Sequence, residues 1–373
     1  MAAGTGVLPS QAIAELLADG SIATPEPLLP DQLQPASLDL RLGAVAWRVR
    51  ASFLPGQNAT VQQRIEQLDG YAIDLSEGAV LERGCVYVVP LLEGLALAPD
   101  LAAFANPKST TGRLDILTRV IADRGFVFDQ VPAGYRGPLY AEITPRTFSV
   151  VVRPGDRLTQ LRLRRGQPAL AEAEVAKLLA EGALVGGPNE ALAPTDRDKG
   201  VAVSVDLAGE GLATGGGPDA LIGWRARKHT DRIDLRRLAH YDPLDFWEPL
   251  RAARHGSLVL DPNDFYILAT REAVRVPPGL AAEMVAYDTA VGEFRVHYAG
   301  FFDPGFGWGE GAESRAVLEV RSHEVPFMLE HGQTIGWLRY ERMASIPDRL
   351  YGQGLKSNYQ GQGLMLAKQF RRP

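Results

Sequence analysis

The sequence predicts a mainly β protein in which one domain plan occurs twice. Three observations carry this. Short apolar runs rich in Val, Ile, Tyr and Phe are bounded by Gly, Pro, Asn and Asp, the pattern of strands between turns. The 373 residues include 39 Gly and 26 Pro, which favours many short strands over long helices. Blocks of the first half also recur in the second at a nearly constant offset, the mark of a tandem duplication.

The repeat is read directly. Trp47-Arg48-Val49-Arg50 returns as Trp224-Arg225-Ala226-Arg227, 177 residues later. Val80 to Thr110 aligns without gaps on Val259 to Thr289 at an offset of 179. Leu81, Tyr87, Pro99, Leu101, Ala102, Ala103 and Thr110 are identical in the two copies. Glu142 falls on Glu319, and Gly155, Leu161 and Arg162 fall on Gly332, Leu338 and Arg339. Upstream, Ser37-Leu38-Asp39-Leu40 matches Ser204-Val205-Asp206-Leu207.

Taken in order, Gln11 to Ala18 reads as a helix, with Ser10 as N-cap and Gly20 as C-cap. Val86 to Val89 and Ser149 to Val152 read as strands, with Pro154-Gly155 as a turn. Ala169 to Ala183 has helical spacing of Ala169, Ala173, Val175, Leu178 and Leu179. It follows the last strand of the first copy and is therefore assigned to a connector. Phe265 to Leu268 and Val317 to Val320 are strands of the second copy, with a turn at Pro304-Gly305. The resulting plan is a first domain over 1–165, a helical connector over 166–200 and a second domain over 201–373.

Composition narrows the function. The net charge of −6 provides no basic field for a nucleic acid polymer, although a small anion needs only a few local cations. No apolar run approaches the ~18 residues that span a bilayer, so no membrane partner is expected. The lone cysteine, Cys85, forms no intramolecular disulfide and reads as an inert core thiol. Met1 to Gly20 lacks a basic n-region and carries Glu15 and Asp19, unlike a signal peptide. Together these point to the cytoplasm.

Several motifs resemble the dCTP deaminases of the dUTPase-like superfamily. Gln34-Pro35-Ala36-Ser37-Leu38-Asp39-Leu40-Arg41-Leu42-Gly43 looks like their N-terminal signature. Lys108-Ser109-Thr110-Thr111-Gly112-Arg113-Leu114 resembles their phosphate and active-site segment, Arg-Ser-Ser-x-Ala-Arg-Leu. Gly134-Tyr135-Arg136-Gly137, followed by Glu142, resembles the strand that ends in the family's catalytic glutamate. Arg153 to Leu161 resembles the next strand. Tyr351…Lys356-Ser357-Asn358-Tyr359-Gln360-Gly361-Gln362 resembles the C-terminal arm over the triphosphate.

The departures are informative. Family members ordinarily have one such domain, and this chain has two. Opposite Lys108–Arg113 the second copy reads Tyr287-Asp288-Thr289-Ala290-Val291-Gly292, which has lost the basic and most hydroxyl groups. Yet it keeps Asp303-Pro304-Gly305-Phe306, closer to the family's Asp-Pro-Gly-Phe than Pro132-Ala133-Gly134-Tyr135. The resemblance implies two distorted jelly-roll or β-barrel domains with a few short helices. It also implies a homo-oligomer with sites between neighbouring domains.

The implied chemistry is hydrolytic deamination of dCTP to dUTP and ammonia. One cysteine and six histidines do not supply the His-x-Glu and Pro-Cys-x-x-Cys pattern of zinc deaminases, so no protein-bound metal is expected and a carboxylate must activate the water. Glu142, between Ala141 and Ile143 on a predicted strand, is the candidate. Ser109 can bond the attacking water or a phosphate, and Arg113 can hold the water or offset charge on the ring. Lys108 and Thr110 suit phosphate. Tyr351, Lys356, Tyr359, Gln360 and Gln362 suit a flap that closes on nucleotide. Asp303 and Glu319 are second-half contributors, and Asp39 and Arg41 read as a structural pair. Magnesium is expected through the triphosphate.

Two other readings stay open. One is a dUTP pyrophosphatase, or an enzyme performing both steps, with Asp303 or Asp129 on the water. The other is a non-catalytic nucleotide-binding oligomer.

Overall fold

The computed structural model describes residues 4–186, 195–196, 199–210, 216–217, 219–253, 255–286, 294–297, 300–309, 313–352 and 363–372. It is mainly β with a few short helices, and its strands fall into two matching sets of sheets.

In the first set, strands Tyr71–Asp74, Val45–Val49, Val86–Ala96, Arg136–Pro145 and Ile116–Ala122 lie side by side in that order, with Ile22–Ala23 also on Val86–Ala96. The second set repeats this as Trp247–Arg251, Leu221–Ala226, Phe265–Val274, Ser314–Ser322 and Phe294–His297, with Val185–Gly186 on Phe265–Val274. The registers correspond: Trp47 faces Val88 and Trp224 faces Ile267. Even the turns match. The Glu82 N–H donates to the Tyr87 hydroxyl at 2.9 Å, and the Asp261 N–H donates to the Tyr266 hydroxyl at 2.9 Å.

A second pair of sheets tells the same story with one correction. Leu38–Arg41 lies antiparallel on Arg157–Arg165, with Leu38 opposite Leu161. Gly200–Ser204 lies on Thr334–Arg342, with Val201 opposite Leu338. Leu161 and Leu338 are repeat partners, so Leu38–Arg41 corresponds to Val201–Ser204. The Ser204–Leu207 match suggested by sequence is four residues out of register. In three dimensions Ala202, not Asp206, takes the place of Asp39.

The chain divides into two compact units. One holds the chain to Pro168 plus two later segments, Asp231–Leu238 and Met343–Arg349; the other holds the rest. Helix Glu172–Ala180 belongs to the second unit, where Val175 joins a core with Leu184, Val203, Leu268, Leu318 and Leu338. The helix of the connector expected over 166–200 thus packs into the second unit's core. The helix is also shorter than predicted, because Ala169 is in a β-bridge with Glu341. In the first unit Ile233–Asp234 pairs in parallel with Val150–Val152. The Arg153 guanidinium clamps Asp234 through bonds of 2.8 and 2.9 Å, and this holds the Asp234 carboxyl below the usual carboxylate range. Charge pairing of this kind leaves no trace in hydrophobic periodicity.

Local chemistry explains the small helices. Ser10–Ala18 begins one residue earlier than expected, with Pro9 rather than Ser10 at the N-cap. Val61–Gln67 carries a capping box: the Gln63 N–H donates to the Thr60 hydroxyl, and the Gln63 side chain accepts from the Thr60 N–H. No helix among the described residues is long and apolar enough to cross a membrane. Cys85 is not a core thiol. It is partly exposed just before strand Val86–Ala96, 3.1 Å from the Arg48 guanidinium.

Candidate active site

The first unit carries Lys108, Ser109, Thr110, Arg113 and Glu142, the main candidate residues. Strand Leu101–Pro107 alternates buried and half-buried positions, as a sheet with one face on the core does. It ends in Lys108, which caps the short helix Ser109–Gly112. The Thr111 hydroxyl ties that turn to the next sheet strand by donating to the Leu158 carbonyl at 2.7 Å. Thr111, Gly112 and Arg113 are buried, whereas Ser109 and Thr110 are half-exposed. Asp115 then turns the chain into strand Ile116–Ala122 with a φ of 54°, a conformation Asp tolerates better than most residues.

Glu142 lies on strand Arg136–Pro145, within the run Leu139–Ile143, which is buried on both faces. It is 1% exposed. Its neighbours across the sheet are Val88 on one side and Arg119 on the other. Arg119 donates to Glu142 Oε1 through both Nε, at 3.2 Å, and Nη2. The second carboxylate oxygen, Oε2, is buried and finds no hydrogen-bond partner. A buried carboxylate with one oxygen clamped and the other unengaged is suited to accept a proton there.

Around this pair lie groups the sequence reading did not assemble. Arg119 Nη2 also donates to Ser52 at 2.9 Å, and its guanidinium carbon stands 3.7 Å from the centre of the Phe128 ring. Asp129 accepts from the Val120 N–H at 2.7 Å. Burial pushes the Asp129 carboxyl up to about 7, with the Val120 N–H and Arg119 pulling it down and Glu142 pushing it further up. An arginine in the mostly apolar run Ile116–Ala122 was the available cue, since a charge on a buried strand needs a partner.

Lys108 is engaged differently from expectation. Its ammonium pairs with Asp39, which is fully buried and also meets Arg157 at 3.3 Å. Asp39 and Arg41 are both structural but do not pair with each other. Arg41 is held instead by Glu93 at 2.7 Å. The short signature segment thus feeds two separate buried ion pairs.

In the second unit, Glu319 occupies the place of Glu142. It is 5% exposed and sits across from Ile267 and His297. Asp303 is buried, and its carbonyl accepts from the Phe306 N–H at 3.0 Å. Tyr351 folds onto the same turn: its N–H donates to Pro304 at 2.8 Å and its ring meets Phe306 at 5.5 Å. Asp303 and Tyr351 are therefore brought together. Lys356, Tyr359, Gln360 and Gln362, and the segment Tyr287–Gly292, lie outside the described residues.

Beyond them the chain is part of the core rather than a continuation of the arm. Leu366, Ala367, Gln369 and Phe370 are each at most 5% exposed. Phe370 packs against Phe246 at 5.5 Å and Trp247 at 6.0 Å.

The chain is similar to known proteins over most of its length. The profile of the 2'-deoxycytidine 5'-triphosphate deaminase N-terminal domain matches residues 4–167, and that of the C-terminal domain matches 171–370. A "dCTP deaminase, dUMP-forming" of Methanopyrus kandleri is 32% identical over 164 residues, 43% of this chain and 81% of that protein. A protein of the same description from Beutenbergia cavernae is 32% identical over 136 residues, 35% of this chain and 62% of its own length. The crystal structure of 2'-deoxycytidine 5'-triphosphate deaminase from Agrobacterium tumefaciens is 54% identical, with a TM-score of 0.86, and the match covers 92% of this chain and all of that one. This chain belongs to the 2'-deoxycytidine 5'-triphosphate deaminase family.

Proposed function

We propose that this chain hydrolyses dCTP to dUTP and ammonia, with Glu142 as general base and acid. The carrying observation is the Glu142 carboxylate, buried, held at Oε1 by Arg119 and unpartnered at Oε2. In this reading Oε2 takes a proton from water while the water oxygen bonds to C4 of cytosine. That proton passes to N3. The second water proton leaves with the exocyclic nitrogen as ammonia, and a carbonyl remains at C4. General acid–base assistance of this kind contributes about 10²–10⁴-fold.

Ser109 and Arg113 are assigned to orienting the water and offsetting charge on the ring, and Thr110 to the phosphates. Lys108 is assigned to the phosphates only by exchanging Asp39 for the nucleotide. The arm residues Tyr351, Lys356, Tyr359, Gln360 and Gln362 are assigned to closure over the triphosphate, with Asp303 and Glu319 as second-half contributors. Magnesium enters as part of the substrate, on the triphosphate, and the chemistry uses no zinc. The reading includes assembly with further copies of the chain and a cytoplasmic setting, where Cys85 stays reduced. The strand orders, in which neighbours are far apart in sequence, favour the distorted jelly-roll arrangement for each unit.

The test is incubation with magnesium dCTP, scoring dUTP, dUMP and ammonia. Ammonia with dUTP is the expected result. Ammonia with dUMP and pyrophosphate assigns a second step, as likeness to the dUMP-forming Methanopyrus and Beutenbergia proteins favours. Nucleotide binding without ammonia release overturns the deaminase reading.

A further inference from the structure

We propose that Arg119 is a positioning residue for the reaction, one that fixes the rotamer of Glu142 and presents Oε2 to the water. The proposal rests on Glu142 being the base. Three features distinguish Arg119 from an arginine that merely neutralises a buried charge. Its two donors, Nε and Nη2, both converge on the single oxygen Oε1, which leaves the other oxygen unpartnered. A guanidinium that served only to neutralise the charge would be expected to bridge both oxygens as a fork. Arg119 is itself immobilised, by Ser52 at 2.9 Å and by the Phe128 ring at 3.7 Å, so the geometry it imposes is rigid. It also stands directly across the sheet from Glu142, in register, so backbone pairing sets the distance between the two.

The physical effect is twofold. A carboxylate confined to one rotamer meets the water without searching, and a misplacement of about 1 Å at a reacting group can cost roughly 10²-fold in rate. The permanent cation also balances the buried negative charge that the pair encloses. Asp129, the other carboxyl facing this group, is felt by both members of the pair. In the second unit the residue across from Glu319 is His297, which carries no permanent charge.

The experiment compares Arg119→Lys, Arg119→Gln, Glu142→Gln and the double variant Arg119→Gln/Glu142→Gln. Each is assayed for kcat, KM and the pH dependence of kcat on magnesium dCTP, with circular dichroism melts as a folding control. We expect Arg119→Gln to lower kcat about 10- to 100-fold with KM nearly unchanged. Arg119→Lys keeps the charge but not the two-donor grip, so its kcat should still fall with KM nearly unchanged. Added to Glu142→Gln, Arg119→Gln should cost nothing further. The proposal is overturned by a folded Arg119→Lys with wild-type kcat, or by a rise in KM alone, which would put Arg119 on the substrate. If Arg119→Gln does not fold, Arg119→Lys decides alone. If Glu142→Gln itself keeps full activity, the base reading fails, and that outcome is separate from the failure of the positioning role.

Discussion

Glu93 and Glu272 stand 179 residues apart and perform the same task in the two halves. Each is buried, and each accepts at 2.8 Å the backbone N–H of the residue that ends a sheet strand, Arg41 for Glu93 and Ser204 for Glu272. The other oxygen differs. Glu93 takes the Arg41 guanidinium at 2.7 Å, whereas Glu272 takes the Ser204 hydroxyl at 2.6 Å.

That difference predicts unequal tolerance. Glu93→Gln removes the only buried carboxylate that these bonds give a guanidinium 1% exposed, leaving it Thr24, two carbonyls and the exposed Glu26, and removing one partner of a buried ion pair costs about 3–5 kcal/mol. Glu272→Gln keeps an acceptor for Ser204 and should cost roughly 1–2 kcal/mol. Thermal melts of the two variants check this. Equal losses would show that the charge of Glu93 is not needed to hold Arg41.

The duplicated glutamates are expected to differ in catalysis. Glu142→Gln should lower kcat at least about 10²-fold, while Glu319→Gln should do far less, because only the first copy has an arginine, Arg119, across from its glutamate and the Lys108–Arg113 segment leading into that arginine's strand. Steady-state assays of both single variants, with melts alongside, decide the matter. A dead Glu319→Gln beside an active Glu142→Gln would move the chemistry to the second half.

Asp129 predicts a pH dependence of stability. Its carboxyl is raised by burial to about 7, well above the usual carboxylate value. Between those two values the folded protein holds a proton that the unfolded chain has released. This contribution is therefore complete in acid and is lost as pH rises through about 7. Asp129→Asn removes the titration, keeps an acceptor for the Val120 N–H and tolerates the φ of 62°. The melting temperature of the variant should gain on that of the wild type between pH 5 and pH 8. Parallel pH curves would refute the shift.

The buried end of the chain predicts that the tail is not dispensable. Phe370→Ala leaves a hole beside Phe246 and Trp247 and should destabilise by about 3–5 kcal/mol. Chemical denaturation measures this. A variant that unfolds like the wild type would mean that Leu366–Phe370 contributes no core.

The sequence by itself determined the duplication, the mainly β class, the strand carrying Glu142 and the family, because each is written in residues close together or at a fixed offset. Val86–Val89 and Phe265–Leu268 are strands for reasons of local composition, and Thr60-x-x-Gln63 caps a helix for reasons of spacing alone. Only the tertiary structure decided which charges meet. Arg119 with Glu142, Lys108 with Asp39, Arg41 with Glu93 and Arg153 with Asp234 are pairs set by strand register and by segments returning from far along the chain, and a buried charge is indifferent to how distant its partner is in sequence. For the same reason the true match of Leu38–Arg41 with Val201–Ser204 emerged from pairing rather than from likeness. Backbone register places Val201 opposite Leu338, whereas Ser204-Val205-Asp206-Leu207 resembles Ser37-Leu38-Asp39-Leu40 only in its letters.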